Sequence, residues 1–336
     1  MKSKKNLQRV AVIGSGIMGS RIACHMANVG LDVLLLDIAP FSLNSAEEKA
    51  GLALDHPKVK NRIVNDALKA TLKSKPASLY KKDFINRVST GNLSDDFEKI
   101  GDADWIIEVV VERLDIKKQV FEKVEKYRKA GSIISSNTSG IPIHQMLEDR
   151  SDDFKAHFLG THFFNPPRYL ELLEIIPTPH TRQEIVDLMM DFGDRHLGKT
   201  TVLCKDTPAF IANRVGVAGI LSLFHLVEKR GLSVEAIDKL TGPIIGRPKS
   251  ATFRTCDVVG LDTLVHVANG LYENCPNDEA REDFKLPKYV QSLLDNKWLG
   301  DKTKQGFYKK TKDENGKKAI LSLDLNTLEY KAQERV

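Results

Sequence analysis

The sequence predicts an α/β fold, a largely parallel, doubly wound sheet with helices on both faces, followed by an all-helical C-terminal domain. Three observations predict it. Short runs rich in Val, Ile and Leu alternate with amphipathic helical patterns through the N-terminal part of the chain, an order that makes strands parallel and buries them on both sides. The first run, 10–13, enters a glycine-rich turn and a helix, and a second run, 31–36, follows that helix directly. Beyond Asp206-Thr207-Pro208 strand-like runs give way to apolar residues at helical spacing.

The glycine turn reads Gly14-Ser15-Gly16-Ile17-Met18-Gly19, with Ile22, Ala23, Met26 and Ala27 on one side of the helix it opens and Asp37 closing the second run. Strand, Gly-x-Gly-x-x-Gly turn, helix, strand and terminal acid in this order are the pattern of a Rossmann-type dinucleotide site. Gly14 permits the tight turn, Gly16 lets backbone N–H groups at the start of the helix approach a pyrophosphate, and Gly19 lets helix and strand pack closely. Ile17 and Met18 complete the turn. Asp37 can accept hydrogen bonds from a ribose diol but repels a 2′-phosphate, and Ile38, Ala39 and Pro40 supply no cation to reverse that choice. The expected cofactor is therefore NAD.

After Asp37 the segment 42–75 is helix-like and charged, and Pro57 and Pro76 divide it into pieces with the makings of a helical hairpin inserted between strands, extending to about residue 82. Strand-like runs resume at 87–90, 105–111, 132–136, 158–164 and 170–176, with a helical pattern over 114–127. Asp206 followed by Pro208 reads as the cap of a long helix with Phe210, Val217, Leu221 and Phe224 on one face. These features place a first domain at 1–206, a helical domain at 207–309 ending near Gly306-Phe307-Tyr308, and a tail at 310–336. Within the tail, the alternating piece 320–325 reads either as a strand or as a linker.

A chain of 336 residues with 41% hydrophobic composition can bury a core large enough for two domains. Lys2, Lys4, Lys5 and Arg9 make a basic start, but no apolar stretch long enough for a signal peptide or membrane span follows, so a cytoplasmic protein without membrane partners is expected. The net charge of +5 argues against nucleic acid as the main partner and suits an anionic ligand. The cations concentrate at Lys58, Lys60, Arg62, Lys69, Lys73, Lys75, Lys81 and Lys82, with Asp66 the single acid among them. Cys24, Cys204, Cys256 and Cys275 show no paired spacing, which indicates neither disulfides nor a metal site.

Polar groups at the ends of predicted elements, where open α/β sheets bind ligands, are carried by Ser136-Asn137-Thr138-Ser139, His162-Phe163-Phe164-Asn165-Pro166, residues 171–174 and residues 208–214. Singly, each has an ordinary structural reading, as a helix cap, a packed histidine or a solvated amide. Together with Gly306-Phe307-Tyr308, and in this order, they resemble the 3-hydroxyacyl-CoA dehydrogenase family over about residues 8–309. The nearest likeness is to the dehydrogenase part of bacterial fused enzymes that also carry an enoyl-CoA hydratase. The resemblance implies that His162, Glu174, Ser139 and Asn213 occupy catalytic positions, Ser139 and Asn213 also meeting substrate oxygens. It likewise implies that Asp37, Glu112, Lys117 and Asn137 contact NAD. The implied reaction is NAD-dependent oxidation of L-3-hydroxyacyl-CoA to 3-ketoacyl-CoA in fatty-acid β-oxidation.

These residue types suit that chemistry. Removing a hydroxyl proton as hydride leaves the carbon requires a base that titrates near neutrality, which His162 provides, and a carboxylate such as Glu174 on its other nitrogen fixes the tautomer. Lys73 and Lys75 read either as contacts to coenzyme A phosphates or as part of a solvated face. The sequence departs from the family at Ala209, where glycine is frequent, at Gly140, and at Arg168, Arg247, Lys249 and Arg254, which add charge to segments often more apolar. Two other readings are a dehydrogenase for a small hydroxy acid and an NAD-binding protein without catalysis. The expected assembly is a homodimer through the helical domain or a portion of a larger fused enzyme.

Overall fold

The computed structural model describes residues 7–314 and 316–333; Lys2, Lys4 and Lys5 lie outside them. The chain divides into two compact units at Phe210/Ile211. In the first, the elements run β1 (Arg9–Ile13), α1 (Ile17–Asn28), β2 (Asp32–Asp37), α2 (Ser45–Lys49), α3 (Pro57–Lys60), α4 (Arg62–Lys73), β3 (Val88–Asn92), β4 (Trp105–Glu108), α5 (Leu114–Tyr127), β5 (Ile133–Ser136), α6 (Asp152–Ala156), β6 (Phe158–Phe163), β7 (Leu172–Pro177), α7 (Gln183–Arg195) and β8 (Thr200–Leu203). They build one eight-stranded sheet in the order β3-β2-β1-β4-β5-β6-β7-β8. Every pairing is parallel except β6 with β7.

Alternate strand residues feed two cores. Val10, Val12, Leu35, Trp105 and Ile107 pack with Ile22, Met26 and Met189 on one face, while Ala11, Ile13, Ile106 and Ile134 pack with Val120, Phe121 and Phe158 on the other. The strand order reverses between β1 and β4, and at such a switch point the C-terminal strand ends leave a crevice for ligands.

Three local outcomes differ from the sequence expectation. Pro57 starts a helix instead of breaking one, because the first helical position needs no N–H donor, and α4 packs on α1, β2 and β3 instead of forming one arm of a hairpin. Asp206 does not cap the long helix. Its carboxylate accepts from the backbone N–H groups of Ile143 (2.7 Å) and His144 (2.8 Å), satisfying the start of the 3₁₀ turn Ile143–Leu147, and pairs with His144 Nδ1 at 2.6 Å. Between Asp206 and the helix the chain turns through Ala209 (φ 59°) and Phe210 (φ 51°), and Phe210 is buried in the core of the first unit. Finally, β8 has no counterpart among the strand-like runs of the sequence.

The second unit contains α8 (Ala212–Arg230), α9 (Val234–Thr241), α10 (Phe253–Val259), α11 (Leu261–Asn274) and α12 (Lys288–Asp295), then an antiparallel sheet of β9 (Tyr308–Lys312), β10 (Lys318–Leu323) and β11 (Tyr330–Ala332). The alternating piece in the tail is thus largely β10. Val217, Leu221, Phe224 and Val227 form the buried face of α8, and Phe224 stacks on Phe253 at 5.1 Å while Phe307 closes the cluster edge-on. Phe307 and Tyr308 donate their backbone N–H groups to the buried Asp257 at 2.9 and 2.8 Å, and Tyr308 Oη bonds Asp238 at 2.8 Å. The Gly306-Phe307-Tyr308 motif is therefore a structural anchor. Among the described residues no helix is long and apolar enough to cross a membrane.

Candidate active site

The dinucleotide end is built by close approach. Gly14 has φ +104°, and a Cβ there would lie 2.5 Å from Val109 O; one on Gly19 would lie 1.8 Å from Gly14 O. A Cβ on Gly16 would meet no protein atom within 4 Å, so the space beside this glycine is open. The N-terminus of α1 has no side-chain cap and no acid in its first turn. Its uncapped N–H groups and positive dipole end offer a place for a phosphate anion. Ile17 and Val111 are exposed, although large and apolar. This combination fits a bound NAD. Asp37 stands at the end of β2, accepting from Ser15 N (2.6 Å), Ser15 Oγ (2.5 Å) and Ile38 N (2.7 Å). It thus ties the turn to the strand, and a carboxylate retains further lone-pair sites for a diol.

Beneath the same edge lies a buried charge relay. Glu108 ends the apolar β4 and is fully buried. It accepts from Lys117 Nζ (2.7 Å), Ser136 Oγ (2.5 Å) and Val110 N (2.7 Å). Lys117, also fully buried on α5, reaches Glu112 Oε2 at 3.3 Å. Glu112 in turn accepts from Thr138 Oγ1, Ser139 N (3.0 Å) and Gly140 N (3.2 Å). Burial pushes the Glu108 carboxyl up against the pull of these donors. At Glu112 burial acts in the same sense, but Lys117 and the bonds from Thr138 and Ser139 outweigh it and hold the carboxyl below its usual range. Lys117 Nζ therefore points toward two acids, one buried and one at the surface.

The relay orders the loop that carries Asn137 and Ser139. Asn137 N donates to Glu108 O at 2.9 Å, and Asn137 Oδ1 accepts from Phe163 N at 2.9 Å, which joins the ends of β5 and β6. Ser139 is half-buried, and its hydroxyl makes no hydrogen bond with a described residue. His162 and Glu174 face each other because the antiparallel register pairs them across β6 and β7. His162 Nδ1 lies 2.7 Å from Glu174 Oε2, with the two residues 5% and 1% exposed. The imidazole packs against the rings of Phe164 (4.4 Å) and Phe210 (5.7 Å), and Nε2 makes no hydrogen bond with any described residue. An Nδ1–H held by a carboxylate leaves Nε2 able to exchange a proton with a ligand.

Asn213 lies apart from this group in the chain's division, on the first turn of α8 in the second unit, beside Arg214, which pairs with Asp278. Lys73 ends α4, and Lys75 follows it. Both are exposed and form no ion pair among the described residues, unlike Lys60 with Asp95, Arg62 with Glu47 and Lys69 with Asp66. Two positions escaped the sequence reading. Glu108 carried a signal, an acid closing the apolar run Trp105-Ile106-Ile107. Lys199 carried none; it is buried, donates to Pro167 O and to Leu170 O at 2.8 Å, and is pushed down to about 8 by burial.

The family descriptions "3-hydroxyacyl-CoA dehydrogenase, NAD binding domain" and "3-hydroxyacyl-CoA dehydrogenase, C-terminal domain" match residues 9–207 and 210–310. A "Probable 3-hydroxyacyl-CoA dehydrogenase" of Bacillus subtilis (strain 168) is 53% identical over 326 residues, 97% of this chain and 41% of the relative. A "Putative fatty acid oxidation complex trifunctional enzyme" of Rickettsia felis is 37% identical over 338 residues, 99% of this chain and 44% of its own. The chain thus spans less than half the length of these two relatives. Among solved structures, (S)-3-hydroxybutyryl-CoA dehydrogenase PaaH1 from Ralstonia eutropha matches with a TM-score of 0.70 and 25% identity, covering 90% of this chain and 98% of that one.

Proposed function

The chain belongs to the 3-hydroxyacyl-CoA dehydrogenase family, and from that premise we propose that it oxidises L-3-hydroxyacyl-CoA to 3-ketoacyl-CoA with NAD as a step of fatty-acid β-oxidation. The observation that carries this reading is the buried His162–Glu174 pair, 2.7 Å apart, with the distal imidazole nitrogen making no hydrogen bond among the described residues. Bound NAD supplies the hydride acceptor at its nicotinamide. The chain's own residues manage the proton and the orientation.

His162 Nε2 takes the proton of the substrate hydroxyl as its C–H bond breaks, and returns it in ketone reduction. Glu174 keeps the other nitrogen protonated and stabilises the imidazolium that forms. Ser139, and Asn213 from the second unit, donate neutral hydrogen bonds to substrate oxygens. Glu112, Lys117 and Asn137 contact the cofactor, Glu112 also holding the 138–140 backbone, and Asp37 receives the ribose diol. Gly14, Gly16, Ile17, Met18 and Gly19 form the pyrophosphate turn. Lys73 and Lys75 meet the phosphates of coenzyme A. The four buried cysteines, none in a disulfide among the described residues, suit a reducing cytoplasm. We propose further that the chain works as a homodimer or within a fused enzyme of the kind named for the Rickettsia felis relative.

The test is NADH oxidation with acetoacetyl-CoA and longer ketoacyl-CoA thioesters, measured against free acetoacetate. The proposal requires turnover of the thioesters at least 100-fold more efficient by kcat/KM. Preference for free acetoacetate would favour a small hydroxy-acid dehydrogenase, and NAD binding without turnover would make the chain a non-catalytic NAD protein.

A further inference from the structure

The connection between β6 and β7 separates His162 from Glu174, and it is held from outside by cations. Arg21 on α1 bonds Asn165 Oδ1 at 2.5 Å, and Lys199 donates to the carbonyls of Pro167 and Leu170. Arg168 points the other way. Its Nη1 donates to Ala77 O at 2.7 Å and Leu79 O at 2.8 Å, and its guanidinium lies 4.5 Å from the Tyr80 ring centroid and 5.0 Å from that of Tyr169. Tyr169 Oη adds a third bond, to Ala77 O at 3.0 Å. On its other side the same segment is gripped by Asn28, whose amide donates to Ser78 O (2.9 Å) and accepts from Tyr80 N (2.8 Å).

We propose that Arg168, with Tyr169, is a positioning and specificity-determining clasp that fixes the cationic arm ending in Lys73 and Lys75 at a set distance from the His162–Glu174 hairpin. The clasp thereby selects substrates carrying a nucleoside phosphate. This inference rests on the proposed dehydrogenase reading. Only Pro76 separates Lys75 from the clasped Ala77, so the arm's last cations are tethered at once to the hairpin that holds the base. The guanidinium suits this task because its planar face stacks on aromatic rings while its edge donates. Ordering the arm in advance removes an entropy cost that a substrate would otherwise meet on binding.

The experiment compares acetoacetyl-CoA with its pantetheine thioester, which lacks the nucleotide, for the wild type, Arg168→Ala, Arg168→Lys and Tyr169→Phe. We expect Arg168→Ala to raise KM for acetoacetyl-CoA about tenfold with kcat within twofold, and to leave kcat/KM for the pantetheine thioester within twofold. Arg168→Lys, unable to stack and fork in the same way, is expected to fall between, and Tyr169→Phe to show a smaller effect of the same kind. In a Lys73→Ala/Lys75→Ala background, Arg168→Ala should add less than twofold. Amide hydrogen exchange over 74–80, which reads the clasp whether or not the enzyme turns over, should accelerate in Arg168→Ala. Equal losses on both thioesters, unchanged kinetics, or unchanged exchange would overturn the clasp while leaving the dehydrogenase reading intact. A wild type inactive on both thioesters would overturn that reading and this inference with it.

Discussion

Glu174→Gln tests the pair at the centre of the site. The substitution keeps the shape of a buried side chain in a register that sets it opposite His162, and removes only the charge behind a 2.7 Å hydrogen bond. A hydrogen bond to a charged group contributes about 1.5–3 kcal/mol. That interaction strengthens as the imidazole becomes imidazolium, so most of it is lost from the transition state, roughly a 10- to 150-fold fall in kcat. His162→Gln removes the base itself and should cost about 10²–10⁴-fold. On the proposed reading, in which Glu174 serves catalysis through the imidazole, adding Glu174→Gln to His162→Gln should change kcat by less than about threefold, whereas independent roles would multiply.

Steady-state rates in both directions, with NAD affinity from fluorescence titration as the control for folding, provide the assay. Alcohol oxidation starts from neutral His162 and should rise with pH; ketone reduction starts from the imidazolium and should fall. Multiplying losses in the double variant, together with pH profiles of one sign in both directions, would refute the pairing.

Other outcomes follow from the same geometry. Asp37→Ser should weaken NAD by about 1–3 kcal/mol, roughly 5- to 150-fold in Kd, and relax discrimination against NADP; unchanged NAD affinity in a titration would remove Asp37 from the site. Asp257, pushed up to about 6 by burial against the pull of the Tyr308 and Phe307 N–H groups and Arg254, takes up its proton in the folded state before the unfolded state does. The stability of the wild type relative to Asp257→Asn should therefore increase as pH falls from 7 to 4, by about 2 kcal/mol, in chemical denaturation; a pH-independent difference would contradict this. Ala209, at φ 59°, should gain about 0.5–1 kcal/mol of stability on replacement by glycine, the relief of left-handed strain exceeding the added chain entropy, and thermal unfolding reads the gain.

The legible parts of the fold are those where local chemistry leaves one solution. A tight turn at φ +104° with Val109 O 2.5 Å from a would-be Cβ admits only glycine, so Gly14 announces itself. The apolar runs of β1, β4, β5 and β6 mark strands buried on both faces, and 114–127 matches α5. β8 was not legible because a four-residue edge strand with exposed Thr200 and Leu203 carries little apolar signal. Its outward Thr201 N–H is satisfied by Asp194 Oδ1 at 2.8 Å, a partner no strand pattern displays.

Asp206 shows why the remaining parts resisted. An acid ahead of a proline has the right chemistry to cap a helix, and it does cap a turn, but the N–H groups it satisfies belong to Ile143 and His144, more than sixty residues upstream. Sequence displays the acceptor without the address of its donors. The same holds for the His162–Glu174 pair, whose contact depends on an antiparallel register across a long connection, and periodicity within either strand cannot supply that register. Lys117 makes the point most sharply, since a lysine on an otherwise charged helix reads as solvent-facing or ligand-facing. Here it is buried between Glu108 and Glu112, where removing the cation alone would strand the buried Glu108 in the protein interior. Its second partner, Glu112, in turn accepts from Ser139 N and Gly140 N, so the lysine is tied to the 138–140 loop by a carboxylate that only the folded sheet brings within reach.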